Sequence, residues 1–243
     1  MNEERALPID SLDATEMPDG LPRQEPVAAV RPSQVADRQL PEATLSRLTG
    51  YLRVLTSLQA DGQHSASSGV LAEAAGVNPA IVRKDLSLLG SYGTRGVGYV
   101  VSELSQHISK ALGLTQEWRV AIIGAGNLGR ALAGYGGFRN RGFDVVALID
   151  ADPQLVGQRI GELVISDGTD LAAVIARDQA NMVVLAVPAA AAQPLCDELV
   201  KCGISSILSF APVPLQVPAG VHLRKVDLAT ELQILAYHAQ DVD

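Results

Sequence analysis

Gly124-Ala125-Gly126-Asn127-Leu128-Gly129 stands near the middle of this chain, directly after the apolar run Trp118-Arg119-Val120-Ala121-Ile122-Ile123. The run reads as a buried strand, and Leu128 to Ala133 continues with helical character, so the glycines occupy a strand-to-helix turn. There the first glycine permits the tight bend, the second lets backbone approach a pyrophosphate, and the third lets helix pack on strand. Phosphate then meets free N–H groups and the positive end of the helix dipole. Roughly twenty residues past the third glycine, Val145-Val146-Ala147-Leu148-Ile149 ends in Asp150. A carboxylate at that strand tip holds a ribose 2′-hydroxyl and repels a 2′-phosphate. No Arg follows immediately, which favours NAD(H) over NADP(H). Any glycine-rich strand–helix turn can imitate the pattern, with the acid a solvated strand end. Strand, helix start and acid together make the dinucleotide reading the stronger one.

The position of this turn bears on function. A compact, helical, Arg-bearing stretch precedes it, and about one small nucleotide-binding domain follows. That suits a protein that measures a nucleotide and reports it elsewhere, and leaves little room for a substrate domain. The chain has 243 residues, 47% of them hydrophobic, enough for one or two domains with a substantial core. No apolar run reaches the roughly 18 residues that would span a membrane, and the N-terminus lacks a signal-peptide core, so a cytoplasmic protein is expected. Cys196 and Cys202, six apart in one expected helix, fit neither a metal site nor a redox pair. Buried thiols in a reducing compartment are expected, with no metal.

The net charge of −8 is uneven. Residues 1–39 carry four Arg against eight Asp and Glu, residues 40–113 six basic against five acidic, and residues 114–243 nine against fourteen. The acidic balance thus belongs to the two ends, and a weakly basic middle module can still touch phosphate.

Residues 1–39, rich in Pro, Asp, Glu and Gln without periodicity, read as a disordered acidic tail. From Pro41, Leu45, Leu48, Leu52, Leu55 and Leu58 recur at helical spacing to about Ala60. Ser67 or Ser68 caps a short helix stopped near Ala75-Gly76, and Asn78-Pro79 opens a third helix through Leu89, stopped by Gly90. Helix, short helix, tight turn, helix is the helix-turn-helix pattern. On the third helix Ile81, Val82, Leu86 and Leu89 are the apolar positions, with Arg83 and Lys84 on the second turn. Taken alone this is an ordinary amphipathic helix with a solvated charged face. Taken as a recognition helix, it places Arg83 and Lys84 in a major groove. Gly90-Ser91-Tyr92-Gly93-Thr94-Arg95-Gly96-Val97-Gly98-Tyr99-Val100 has the composition of a hairpin wing with Arg95 projecting toward a minor groove. Ser102 then caps a connecting helix to about Leu112.

Arg83-Lys84-Asp85-Leu86-Ser87 followed by Gly-Ser-Tyr-Gly-Thr-Arg-Gly-Val-Gly-Tyr at 90–99 resembles the signature of the Rex family, bacterial repressors that read the NADH/NAD+ ratio. The resemblance extends through Gly124–Gly129, Asp150-Ala151-Asp152-Pro153, Ala186-Val187-Pro188-Ala189, Phe210-Ala211-Pro212-Val213 and Lys225-Val226-Asp227-Leu228-Ala229, over about residues 40–240. It implies an α/β protein with an N-terminal winged helix-turn-helix domain and a C-terminal Rossmann-like parallel-sheet domain. It also implies a homodimer on double-stranded operator DNA, with the C-terminal helix swapped onto the partner. The expected divisions are 1–39 (tail), 40–101 (winged helix), 102–117 (connecting helix), 118–226 (NAD(H)-binding) and 227–243 (swapped helix). In that helix Leu228, Leu232, Leu235 and Ala236 lie near helical spacing; an intramolecular terminal helix is the alternative.

The resemblance places NADH or NAD+ on Gly124, Ala125, Gly126, Asn127, Leu128, Gly129, Asp150, Val187, Pro188, Tyr135 and Phe210. Asp227 of the other subunit completes the set by meeting Tyr135. It places DNA on Asn78, Arg83, Lys84, Ser91, Tyr92, Arg95 and Gly96. Asn127 stands where some members carry a basic residue, and the N-terminal tail is an extension. An NAD-dependent oxidoreductase and a CoA-binding module are the competing readings. Against an enzyme, none of His64, His107, His222 and His238 sits in a motif with a strand-end carboxylate, no Tyr-x-x-x-Lys pair appears, and Pro188 and Pro212 offer no acid or base.

Overall fold

The computed structural model describes residues 40–90, 93 and 98–240. The expectations for the tail and for Ser91, Tyr92, Thr94, Arg95, Gly96 and Val97 lie outside the described residues. Helix α1 (Glu42–Ala60) begins after Pro41 and buries Thr44, Leu48, Tyr51 and Leu55 along one face. Strand β1 (Ser65–Ala66) follows, then α2 (Ser68–Ala74), where the Ser67 hydroxyl accepts the Val70 N–H. Gly76, at φ +63°, turns the chain into α3 (Pro79–Leu89). Asn78 caps α3 and Pro79 occupies the first turn, as sequence alone indicates. Strand β2 (Tyr99–Val100) pairs antiparallel with β1 and runs straight into α4 (Val101–Ala111). Ser102 is therefore not its cap: the helix starts one residue earlier without a side-chain cap, and the Val101 N–H donates to the His64 carbonyl. The helix read as a connection contributes Val101, Leu104 and Ile108 to the same core as Leu48, Tyr51, Leu55, Leu71, Val82 and Leu86.

A seven-stranded sheet makes the second part, in the order β5-β6-β4-β3-β7-β8-β9. Its strands are β3 (Trp118–Ile123), β4 (Phe143–Asp150), β5 (Arg159–Ile160), β6 (Leu163–Asp167), β7 (Met182–Leu185), β8 (Ser206–Ser209) and β9 (His222–Lys225). All neighbours are parallel except the edge pair β5–β6. Helices α5 (Asn127–Ala133), α6 (Leu171–Arg177) and α7 (Ala189–Lys201) cross between strands. Apolar residues on both faces of β3 enter separate core clusters, Ala121 and Ile123 in one, Val120 and Ile122 in the other. Burial on both faces is the rule for parallel sheets. Strand order reverses direction between β3 and β7, the topological switch point of a doubly wound fold. The last element, α8 (Leu228–Ala239), buries none of its residues.

Candidate nucleotide site and DNA-reading face

The glycine turn leaves β3 at the switch point, and each glycine has a separate steric reason to be there. Gly124 adopts φ +100°, and a Cβ on it would strike the Ala186 carbonyl in the loop after β7. A Cβ on Gly129 would strike the Gly124 carbonyl, so helix and strand pack only because it is absent. A Cβ on Gly126 would meet nothing within 4 Å. That open space is where a ligand backbone can approach. Gly126 also precedes α5, which has no side-chain cap, leaving its first-turn N–H groups available to an anion.

A cleft of about 570 Å³ opens here, lined among others by Gly124, Gly126, Asn127, Leu128, Asp150, Val187 and Pro188. Its size and its mixture of apolar walls with backbone donors fit a dinucleotide half. Ala125 and Gly129 lie behind the lining, Ala125 fully buried. Asp150 ends β4 as expected, but its carboxylate is already engaged: Oδ2 accepts the Ala125 N–H at 2.6 Å and Oδ1 the Asp152 N–H at 2.9 Å. It therefore braces the glycine loop while facing the cleft. Arg130, not foreseen from sequence, also holds this loop, its Nε donating to the Ala125 carbonyl at 2.7 Å.

Tyr135, Phe210 and Asp227 do not line this cleft. Tyr135 is half exposed and meets Phe138 edge-on at 5.2 Å. Phe210 is partly buried against the core on the β3–β4 side. Asp227 caps α8 by accepting the Thr230 N–H and pairs with Lys225 at 3.0 Å. The Lys225 hydrogen bond, with help from Thr230, holds its carboxyl below the usual carboxylate range.

The DNA-reading candidates divide. Asn78 is a structural cap, its Oδ1 accepting the Ala80 and Ile81 N–H groups at 3.0 Å each. Arg83 and Lys84 are exposed on α3, and Arg83 Nη1 donates to Ser68 Oγ at 3.1 Å. Gly93 lies so close to the Tyr99 ring that a Cβ would clash with it, and a Cβ on Gly98, at φ +95°, would strike the Ala66 carbonyl.

Sequence reasoning missed one residue of this face. Asp85, which follows Arg83 and Lys84 directly in sequence, is 2% exposed. Burial alone would push its carboxyl up, but hydrogen bonds from Arg47, Tyr51 and Thr44 outweigh that and hold it low. Tyr51 is pushed up to about 12, first by burial and then by Asp85. A period of 3.6 beginning at Val82 reaches position 85, the one sequence signal that points to its burial.

A helix-turn-helix with a strand pair leading out of it, joined to a dinucleotide-type sheet, defines a nucleotide-responsive DNA-binding regulator. Comparison with known proteins narrows the class. Residues 39–87 match the family described as putative DNA-binding protein N-terminus, and residues 115–213 the CoA binding domain family. The chain is 56% identical over 203 residues to the redox-sensing transcriptional repressor Rex of Streptomyces coelicolor, covering 84% of this chain and 79% of that one. It is 45% identical over 200 residues to the Rex repressor of Desulfitobacterium hafniense, covering 82% and 95%. Among solved structures it resembles RSP, a Rex-family repressor, in complex with NAD+ and operator DNA (TM-score 0.79, 35% identity, 84% of this chain, 94% of that one). The complex of RSP with NADH gives a TM-score of 0.74 at 34% identity, covering 84% and 96%. The chain belongs to the Rex family of redox-sensing transcriptional repressors.

Proposed function

We propose that this chain represses transcription by binding an inverted-repeat operator as a homodimer, and that NADH in the β3–β7 cleft releases it while NAD+ permits binding. The observation that carries the reading is the coexistence of two sites: the open Gly126 cleft braced by Asp150, and the exposed Arg83–Lys84 pair on a capped helix. Gly124, Gly126, Gly129 and Asp150 hold the dinucleotide, with Val187 and Pro188 forming the opposite lip. Arg83 and Lys84 enter the major groove, and Arg95 with Ser91, Tyr92 and Gly96 approaches the backbone or minor groove. The carboxylate of Asp150 also disfavours the extra phosphate of CoA, so the CoA-type fold takes NAD(H) here.

Two-fold symmetry is supported by α8. Leu228, Leu232, Leu235 and Tyr237 are each more than 60% exposed, an apolar surface that a second copy would cover. A cleft of about 830 Å³, lined among others by Leu52, Ala75, Leu112 and Phe143 together with Arg53 and Arg141, offers apolar ground with a charged rim for such a helix. With α8 swapped, Asp227 of one subunit approaches Tyr135 and Phe210 of the other, beyond the cleft where the nicotinamide end must lie. The two ligands differ only at that ring, and a ligand shifts an equilibrium only through differential affinity for its states. Changed subunit orientation would then alter the spacing of the recognition helices.

The test is an operator titration in the presence of NAD+ and of NADH. A loss of operator affinity of about tenfold or more with NADH is expected, within the ordinary range of allosteric coupling. Equal affinities in the two conditions would overturn the sensing role.

A further inference from the structure

We infer that Asp85 is a positioning residue for DNA reading: clamped by Thr44, Arg47 and Tyr51, it fixes the rotation and register of α3 on α1 and thereby the aim of Arg83 and Lys84. The inference rests on the DNA-binding role proposed for α3.

Each oxygen of the carboxylate has two donors. Oδ1 accepts from Thr44 Oγ1 at 3.1 Å and Arg47 Nη2 at 2.8 Å, and Oδ2 from Arg47 Nε at 2.7 Å and Tyr51 Oη at 3.0 Å. The Arg47 fork is bidentate, the geometry that specifies direction as well as strength. Arg47 Nη2 also donates to Thr44 Oγ1 at 3.3 Å, tying the donors to one another. The donors sit at positions 44, 47 and 51, one face of α1 over successive turns.

Apolar burial does not supply the same constraint. Besides Asp85, α3 buries only Val82 and Leu86, and such contacts are non-directional. A slip of one residue turns a helix by about 100°, enough to carry the neighbouring Arg83 and Lys84 off their face. A slip of that size breaks every bond to Asp85. The Arg83–Ser68 bond makes a second tether, from α2, for one of the two reading side chains. Buried ion pairs are often matched in stability by apolar replacements of similar volume. Their distinctive contribution in this location is therefore geometric.

The experiment separates aim from stability. Operator and non-operator duplexes of equal length are titrated with wild type and with a fourfold variant, Thr44→Val, Arg47→Met, Tyr51→Phe and Asp85→Leu, which replaces the whole cluster with apolar groups. Non-operator binding reads phosphate attraction and depends weakly on helix aim. Cooperative unfolding and unchanged NADH affinity are expected from the variant, with its operator preference reduced about tenfold, the scale of one or two misplaced polar contacts. An operator preference within about twofold of wild type would overturn the positioning role and leave the cluster as core structure. Should the fourfold variant fail to fold, Tyr51→Phe alone removes one bond and no charge. An operator preference lowered about threefold is then expected, and an unchanged one overturns the inference. Wild type lacking any operator preference would instead overturn the DNA-binding reading itself.

Discussion

Helices α3 and α8 are almost equal in length, 11 and 12 residues, and both carry apolar side chains at helical spacing, yet they end in opposite environments. Helix α3 buries Val82, Asp85 and Leu86 against its own chain, while α8 buries nothing. Isolated helices of this length are marginal in water and depend on packing for stability. The difference teaches where each helix finds its partner. The surface α3 needs is supplied by α1 and α2, so its outer face is free for DNA. Helix α8 buries none of its residues against the described chain, which leaves its apolar face free for the second copy proposed above.

The largest expected effect follows from α8. Replacing Leu232 and Leu235 with Asp should leave a monomer in sedimentation experiments and lower operator affinity by about 100-fold, because the two half-site contacts lose their linkage. The mirror experiment, Leu88→Asp on the exposed face of α3, should leave the oligomeric state unchanged. A dimer that survives the first pair would erase the distinction drawn between the helices.

On α3, Arg83→Ala should cost roughly 1–3 kcal/mol of operator binding and relax specificity at one base-pair position. Its checks are a binding titration and a panel of operators substituted one position at a time. A uniform loss across the panel would make Arg83 a phosphate contact.

Asp150→Ala should weaken NADH about tenfold, as expected for loss of a charge-assisted hydrogen bond. Because Asp150 also braces Ala125, loosening of the loop lowers both reduced cofactors together. The informative measurement is the ratio of NADPH to NADH affinity. It should rise in the variant, and an unchanged ratio would limit Asp150 to the brace.

The contrast between the helices also marks what the sequence discloses. Where one residue type has one local steric role, it is legible. Asn78-Pro79 and Gly90 bound α3, and Gly124, Gly126 and Gly129 mark the turn at the switch point, because caps, the positive φ of Gly124 and the close approach of Gly129 to the Gly124 carbonyl are local demands. Asp85 was hidden for the opposite reason. Its partners stand 34 to 41 residues away in sequence, and a carboxylate beside Arg83 and Lys84 looks like part of a solvated face. Helix α4 passed for a connection because its core, built with α1, is likewise non-local. The antiparallel edge β5–β6, short strands at Arg159–Ile160 and Leu163–Asp167, carries too few residues for a periodic signal. Asp150 was placed correctly at its strand end, but its bonds to backbone N–H groups depend on a loop conformation no pattern encodes.

The smallest effect probes the anchored helix through acid. A carboxyl held below its ordinary value in the folded state contributes stability that is complete above the unfolded value, 3.8 for Asp85, and is lost as pH falls through the folded one. Tyr51 Oη donates to that carboxylate, so Tyr51→Phe should reduce stability by about 1–2 kcal/mol near neutral pH. The bond is strong because the acceptor is charged. As pH drops below 3.8, Asp85 takes up a proton, first in the unfolded chain and then in the variant, whose folded carboxyl is held less low. The stability gap between wild type and variant should therefore narrow in acid. Denaturant unfolding at a series of pH values from 7 downward measures it, with β1–β2 and α1–α4 followed separately from the nucleotide sheet by hydrogen exchange. A gap that stayed constant into acid would show that Tyr51 supports α3 by packing alone, and that the charge on Asp85 does not govern how firmly the helix is held.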